Sequence, residues 1–289
     1  MIGVIFYHLG AFFSRILPRP IPQWIAWMIG QGNWWLRFRT RPTIVQNLRI
    51  LHGTTYDERQ LRHRARHVVM NFARAIQLFL QMPFFNWEDI RQRCDFTEFE
   101  EAVKSIGENK AFIMASGHIG PWELGGYCLA RMGYRVHTVA LEHPSPWVTR
   151  FYTERRRILG IKAFPLSGSF YLLKASLDSG GCVALLIDRA YGKAKKRFSL
   201  FGVESEFPLG HLVLSMRCRV PVITGALVFD GPERFRYVHG GTHWPDESLP
   251  EDERLEALQD SCLRDLERII LAYSDQWSHF TPLGRTESE

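Results

Sequence analysis

The chain has 289 residues, 46% of them hydrophobic and 13% aromatic. That is enough to bury one large α/β domain with an appended helical segment, and no repeat or low-complexity tract points to a fibrous or disordered protein. The formal charge is +6, but residues 1–80 hold eleven arginines, no lysine and only Asp57 and Glu58 as acids, so the rest of the chain is net negative.

In chain order, Met1 to Leu17 is apolar but broken by His8, Ser14 and Arg15, and it is shorter than the roughly 20 residues of a spanning helix. No charged start with a small-residue cleavage site marks a secretory signal. Pro18, Pro20 and Pro22 follow, then a second apolar block over 21–36 with Trp24, Trp27, Trp34 and Trp35, then Arg37, Arg39 and Arg41. Aromatics beside arginines are the composition of a membrane interface, so residues 1–41 are expected to form a membrane-associating helical segment of two interfacial helices. One marginal transmembrane helix is the alternative. An anionic membrane surface suits this aromatic, basic quarter better than nucleic acid does; a solvated arginine-rich helix face is the plain alternative.

Residues 42–289 are expected to form the main domain. A long helix is predicted over 57–81 from Leu61, Ala65, Val68, Val69, Phe72, Ile76 and Phe79 at three- and four-residue steps, and a short one over 97–107 with Thr97 and Glu100 at capping-box spacing. Strands are then predicted at 111–116, 135–141, 182–187 and 220–229. Helices are predicted near 121–132, 146–159, 169–179, 208–219 and 251–275, the last with Glu251, Asp252 and Glu253 in its first turn. This alternation implies a mostly parallel central sheet flanked by helices.

Chemistry concentrates at Ser116-Gly117-His118-Ile119-Gly120-Pro121-Trp122-Glu123, a predicted strand end that opens a helix. Such a place aims side chains into the crevice at the carboxyl edge of a sheet. His118 is suited to accept a proton near neutral pH, and Glu123 would fold back to orient its ring. Backbone N–H groups at the helix start would face a developing oxyanion. There is no Gly-x-Ser-x-Gly elbow, and the five scattered cysteines form no CxxC pair or zinc spacing. They read as reduced thiols on a cytosolic face. A base without an enzyme nucleophile suggests that a substrate hydroxyl, deprotonated by His118, attacks an activated acyl carbon. A histidine hydrogen-bonded in a turn, with Glu123 capping the helix, is the plain alternative. Of Arg155, Arg156 and Arg157, which cannot share one helix face, at least one should point to the site, where a guanidinium suits bidentate phosphate contact; three solvated arginines are the plain alternative. Asp188, ending an apolar strand, would stand at the same sheet edge and hold an arginine or the acceptor head group, or would cap a turn. Lys193, Lys195, Lys196 and Arg197 read as a basic loop, and His211, His239 and His243 as structural.

The run His118-Ile119-Gly120-Pro121-Trp122-Glu123 resembles the first block of the bacterial lysophospholipid acyltransferase family of the late lipid A type, the lauroyl and myristoyl transferases. Asn47-Leu48 and Asn71-Phe72-Ala73 are similar to its N-terminal region. Glu142 to Pro146 with Arg155-Arg156-Arg157 is similar to its second block, and Ala184 to Arg189 with Phe201-Gly202 to its third. The resemblance runs over residues 5–280 and implies a glycerolipid-acyltransferase-like fold. It also implies acyl transfer from an acyl carrier protein or coenzyme A thioester to a hydroxyl of a membrane lipid, a lipid A precursor or related lysolipid. The place would be the cytoplasmic face of the bacterial inner membrane, in lipopolysaccharide synthesis. On this reading His118 and Glu123 are catalytic, and Arg157, then Arg156, Asp188 and Arg189 bind substrate; no metal or redox cofactor is implied. The chain departs from the family at Asp275 to Pro282, which lacks an arginine pair seen in lipid A members, and in its weak N-terminal anchor. Both departures allow another acceptor lipid. A hydrolase using the same histidine and a non-catalytic lipid-binding protein are the competing classes.

Overall fold

A computed structural model describes residues 2–18, 20–36, 40–107, 111–141 and 143–284. Arg37, Arg39 and Glu142, which enter the sequence expectations, lie outside these residues. The helices α1 (Ile2–Ile16), α2 (Pro20–Leu36), α3 (Arg41–His52), α4 (Glu58–Gln81) and α5 (Trp87–Arg93) come first. An alternating region follows: β1 (Cys94–Asp95), α6 (Thr97–Ser105), β2 (Phe112–Ser116), α7 (Trp122–Arg131), β3 (Val136–Ala140), α8 (Pro146–Ile158), β4 (Ile161–Pro165), α9 (Ser169–Asp178) and β5 (Cys182–Leu186). The chain closes with the hairpin β6 (Lys195–Leu200) and β7 (Val203–Pro208), then α10 (Gly210–Cys218), β8 (Val222–Phe229), β9 (Phe235–His243) and α11 (Glu251–Ala272).

Among the described residues the strands form a seven-stranded sheet ordered β1-β9-β8-β2-β5-β3-β4. Every neighbouring pair is parallel except β8 with β9. The expectation of a mostly parallel sheet flanked by helices therefore holds. Parallel strands need covering on both faces, and alternate residues of β2 supply the two cores. Ile113 and Ala115 pack with α9, α10 and α11, while Phe112 and Met114 pack with α6, α7 and α8. β2 sits mid-sheet with β5 and β8 on its flanks, and its carboxyl end opens between covering helices.

Several elements differ from expectation. β4, β9 and the β6–β7 hairpin escaped prediction because their apolar residues are few or spread among charges and glycines. The basic run Lys193 to Arg197, read as a loop, is mostly strand: Lys195 pairs with Glu206 and Lys196 with Glu256. Thr97 does not cap α6; Asp95 accepts bonds from its amide and hydroxyl instead. Asp57 and Gln60 do form a capping box at the start of α4.

α2 packs along α4, where Arg66 bonds Gln31, and α1 packs on α4 and α8, where Tyr7 stacks on Phe151 at 5.5 Å. No helix among the described residues is long and apolar enough to cross a membrane.

Candidate active site

β2 delivers His118 to the carboxyl edge of the sheet, and β5, hydrogen-bonded beside it, delivers Asp188 to the same edge. Asp188 grips the histidine twice. Its Oδ1 lies 2.7 Å from His118 Nδ1, and its Oδ2 accepts the His118 backbone N–H at 3.0 Å. Trp277 Nε1–H donates to the same Oδ2 at 2.9 Å. Asp188 is fully buried as a side chain, whereas His118 is one-fifth exposed. Burial alone would raise the Asp188 carboxyl. His118 first, by charge and hydrogen bond, then Arg189 and His279, hold it well below the usual carboxylate range. A carboxylate only accepts, so the proton on Nδ1 belongs to the histidine and Nε2 is left as the basic atom.

Glu123 does not reach the imidazole. Its carboxylate accepts from Arg156 Nε at 3.1 Å and from a terminal guanidinium nitrogen at 2.5 Å. Asp188 takes the place expected for Glu123, because the turn through Gly120 and Pro121 starts α7 with Glu123 turned toward α8. There the charge-assisted fork of a guanidinium is the stronger partner. Burial lowers the Arg156 guanidinium, but Glu123 outweighs it and holds the proton more firmly than usual. The order expected among the arginines is also reversed. Arg156 lines the site, Arg157 is exposed and paired with Glu154, and Arg155 is buried on the carbonyls of Phe79 and Leu80. Helix rotation of about 100° per residue separates the three. Arg189 lines the site too, bonded to the Ser278 carbonyl, with its Nε buried and without a partner among the described residues.

The floor of the site comes from a segment whose role sequence reasoning missed. Residues 274–280 cross beneath the histidine turn: Gly120 N–H donates to Gln276 O at 3.0 Å and Ser278 N–H to His118 O at 2.8 Å. Asn47 bonds the carbonyls of His279 and Thr281, and Asn71 that of Asp275. The two asparagines singled out in the N-terminal region thus hold this segment under His118. Gly120 has φ +56, and a Cβ there would lie 2.3 Å from Leu227 O. Only glycine fits that approach.

His118, Glu123, Arg156 and Arg189 open into one cavity of about 610 Å³ walled mainly by apolar side chains. Tyr152 and Phe170 stand among the aromatics in its wall. Burial pushes the thiol of Cys128, in the wall, well up, with Cys94 adding to it; a protonated thiol is a poor nucleophile. No group of three or more metal-binding side chains gathers among the described residues.

Residues 1–283 match the family model described as bacterial lipid A biosynthesis acyltransferase. The chain belongs to this family. It is similar, at 22% identity over 164 residues, to a phosphatidylinositol mannoside acyltransferase of Mycolicibacterium smegmatis (strain ATCC 700084 / mc(2)155). The match spans 55% of this chain and 52% of that relative, so the chain spans about half the length of the curated relative it matches. Family membership places the protein with enzymes of the lipid A biosynthesis acyltransferase type.

Proposed function

We propose that the protein transfers a fatty acyl group from an acyl carrier protein or coenzyme A thioester directly to a hydroxyl of a membrane lipid. The observation that carries this reading is the His118–Asp188 pair at the mouth of an apolar cavity, where the hydroxyl of Ser116 turns to the Gly117 carbonyl and burial keeps the Cys128 thiol protonated. His118 Nε2 takes the proton of the acceptor hydroxyl as its oxygen attacks the thioester carbonyl. The carbon–sulfur bond then breaks, and the imidazolium returns the proton to the leaving thiolate. Asp188 holds the ring and steadies the imidazolium, as the acid of a serine-type triad does, and Trp277 holds Asp188. Arg156, fixed by Glu123, and Arg189 present guanidinium groups to phosphates of donor or acceptor. Among acceptors, a lipid A precursor fits the family and a mannosylated phosphoinositide fits the distant relative; both offer a hydroxyl beside phosphate.

The N-terminal helices support a site on a membrane. Phe12, Phe13 and Ile16 of α1 and Trp24, Trp27 and Ile29 of α2 are exposed, and Arg41 lies over the rings of Trp34 and Trp35. This aromatic and basic surface suits the anionic cytoplasmic face of the inner membrane. Incubating the purified protein with acyl-carrier and coenzyme A thioesters and a bacterial lipid extract, followed by mass spectrometry, tests the reading. An acylated lipid supports it; free fatty acid alone supports the hydrolase instead. His118→Ala should lower the rate by about 10²–10⁴-fold, the worth of a positioned general base.

A further inference from the structure

The cavity wall around Arg156 rests on aromatic rings that lead to α1. Tyr152, on α8, lines the cavity. The Arg156 guanidinium lies over its ring at 5.7 Å, a cation–π distance. Phe79 stacks on Tyr152 at 5.0 Å, and the His143 ring meets it at 5.1 Å. Tyr7 completes the set from α1. Its ring stands edge-on to Tyr152 at 5.5 Å and stacks on Phe151 at 5.5 Å, while His8 meets Phe151 at 5.0 Å. The hydroxyls of Tyr7 and Tyr152 share a hydrogen bond. Tyr152 is buried, and a buried tyrosine hydroxyl needs such a partner.

α1 is held lightly in this place. Its 15 residues would make a marginal helix alone in water. Among its described side chains Ala11 alone is buried, and Gly10 lies so close to α4 that a Cβ there would stand 2.9 Å from Leu80 Cδ1. Leu9, Phe12, Phe13 and Ile16 are exposed. Water leaves that apolar face uncovered, whereas a bilayer takes it and favours the helical form. Only the helical form sets Tyr7 beside Tyr152. A ligand shifts an equilibrium by binding one state better than the other, and lipid does so here, between a docked α1 and a frayed one.

We propose that α1 is a membrane-dependent part of the active site, in which Tyr7 is a positioning residue for Arg156, acting through Tyr152. Glu123 grips one edge of the guanidinium, and the Tyr152 ring supports its face. Docking of α1 braces that ring; fraying of α1 removes the brace. The inference deepens the acyltransferase reading, and rests on it for the role of Arg156 at a substrate phosphate. Its consequence is regulation by location: the enzyme binds substrate well only when seated on lipid, so a thioester in the aqueous phase is engaged poorly away from the membrane.

Hydrogen exchange of the full-length protein, read by mass spectrometry with and without phosphatidylglycerol vesicles, tests the coupling. Vesicles should slow exchange over α1 and, by at least about fivefold, over α8, which carries Tyr152 and Arg156. In Tyr7→Ala the effect on α1 should stay and the effect on α8 should be lost. Exchange over α8 that ignores the vesicles, or that slows as much in Tyr7→Ala as in the parent, overturns the proposal. The second readout is steady-state transfer from palmitoyl-CoA to a bacterial lipid extract in the same vesicles. Tyr7→Ala should raise the apparent KM for one of these substrates by about threefold to tenfold, the worth of one hydrogen bond, with kcat kept within about twofold. Tyr7→Phe, which keeps the ring contacts and drops the hydroxyl, should fall between Tyr7→Ala and the parent. A fall in kcat at unchanged KM overturns the link to Arg156. A parent protein that transfers no acyl group sinks the acyltransferase reading, and the role of Arg156 with it, whereas the exchange result still decides whether α1 braces α8.

Discussion

At the scale of single residues, the site turns on a competition for partners. Two carboxylates, Asp188 and Glu123, and two nitrogen-bearing side chains, His118 and Arg156, meet at one cavity, and each carboxylate has taken one partner. The pairing divides their work. Asp188→Asn keeps the shape but replaces an ionised acceptor with an amide that cannot steady an imidazolium. We expect kcat to fall by about 10²–10⁴-fold with little change in KM, measured by steady-state kinetics on the lipid acceptor. Glu123→Gln acts one step away, through Arg156, and should raise KM more than it lowers kcat. Two further histidines carry a stability signature. Burial pushes both His211 and His279 down to about 4, with Arg189 adding to the effect at His279. The unfolded chain takes up these protons near pH 6.5 and the folded chain only near pH 4, so the stability that the neutral rings confer is full above pH 6.5. It is lost progressively as pH falls toward 4, by at most about 3 kcal/mol for each ring. Thermal melts from pH 7 to pH 4 should show this loss, and His279→Gln should flatten part of the slope.

At the scale of elements, the working unit is the turn between β2 and α7 together with the chain segment that crosses under it. Neither half is stable in its place alone: the turn's N–H and C=O groups find partners in Gln276 and Ser278, and that segment is held in turn by Asn47 on α3 and Asn71 on α4. Gln276 also bonds both the N–H and C=O of Phe229 with its side chain, tying the segment to the end of β8. Gly120 is where the turn lies against the end of β8, beside the Gln276 side chain. A methyl group there would collide with Leu227 O in a conformation that already disfavours a side chain. Gly120→Ala should cost about 2–4 kcal/mol in chemical denaturation and, in the protein that still folds, lower activity by displacing His118.

At the scale of the whole molecule, the apolar faces of α1 and α2 and the site both flank α4, since Phe72 of that helix stacks on Trp122 beside His118. A protein seated on a bilayer by α1 and α2 would keep its cavity near the lipid. Replacing Trp24 and Trp27 together with alanine should weaken sedimentation with phosphatidylglycerol vesicles by at least about tenfold, while activity on a detergent-dispersed acceptor changes little. Raising salt should weaken binding of the parent protein as well, because the arginine contribution is screened. Unchanged vesicle binding in the double variant would remove α1 and α2 from the membrane contact.

The sequence by itself determined the alternation of helices and strands through the middle of the chain, the mostly parallel sheet and the turn that carries His118. These rest on local periods and on the residue types a strand-to-helix turn requires, and both are written along the chain. It also brought Asp188 and Arg156 under suspicion, as charges at the end of an apolar strand or along a helix, and the resemblance to the family added Arg189. Only the tertiary structure decided which carboxylate meets the histidine. Asp188 and His118 are seventy residues apart, joined because β2 and β5 are neighbours in the sheet. Trp277, whose indole fixes Asp188, stands eighty-nine residues further on and follows no local pattern. Hydrogen bonds between distant segments depend on strand order and helix rotation, which spacing along one chain does not encode.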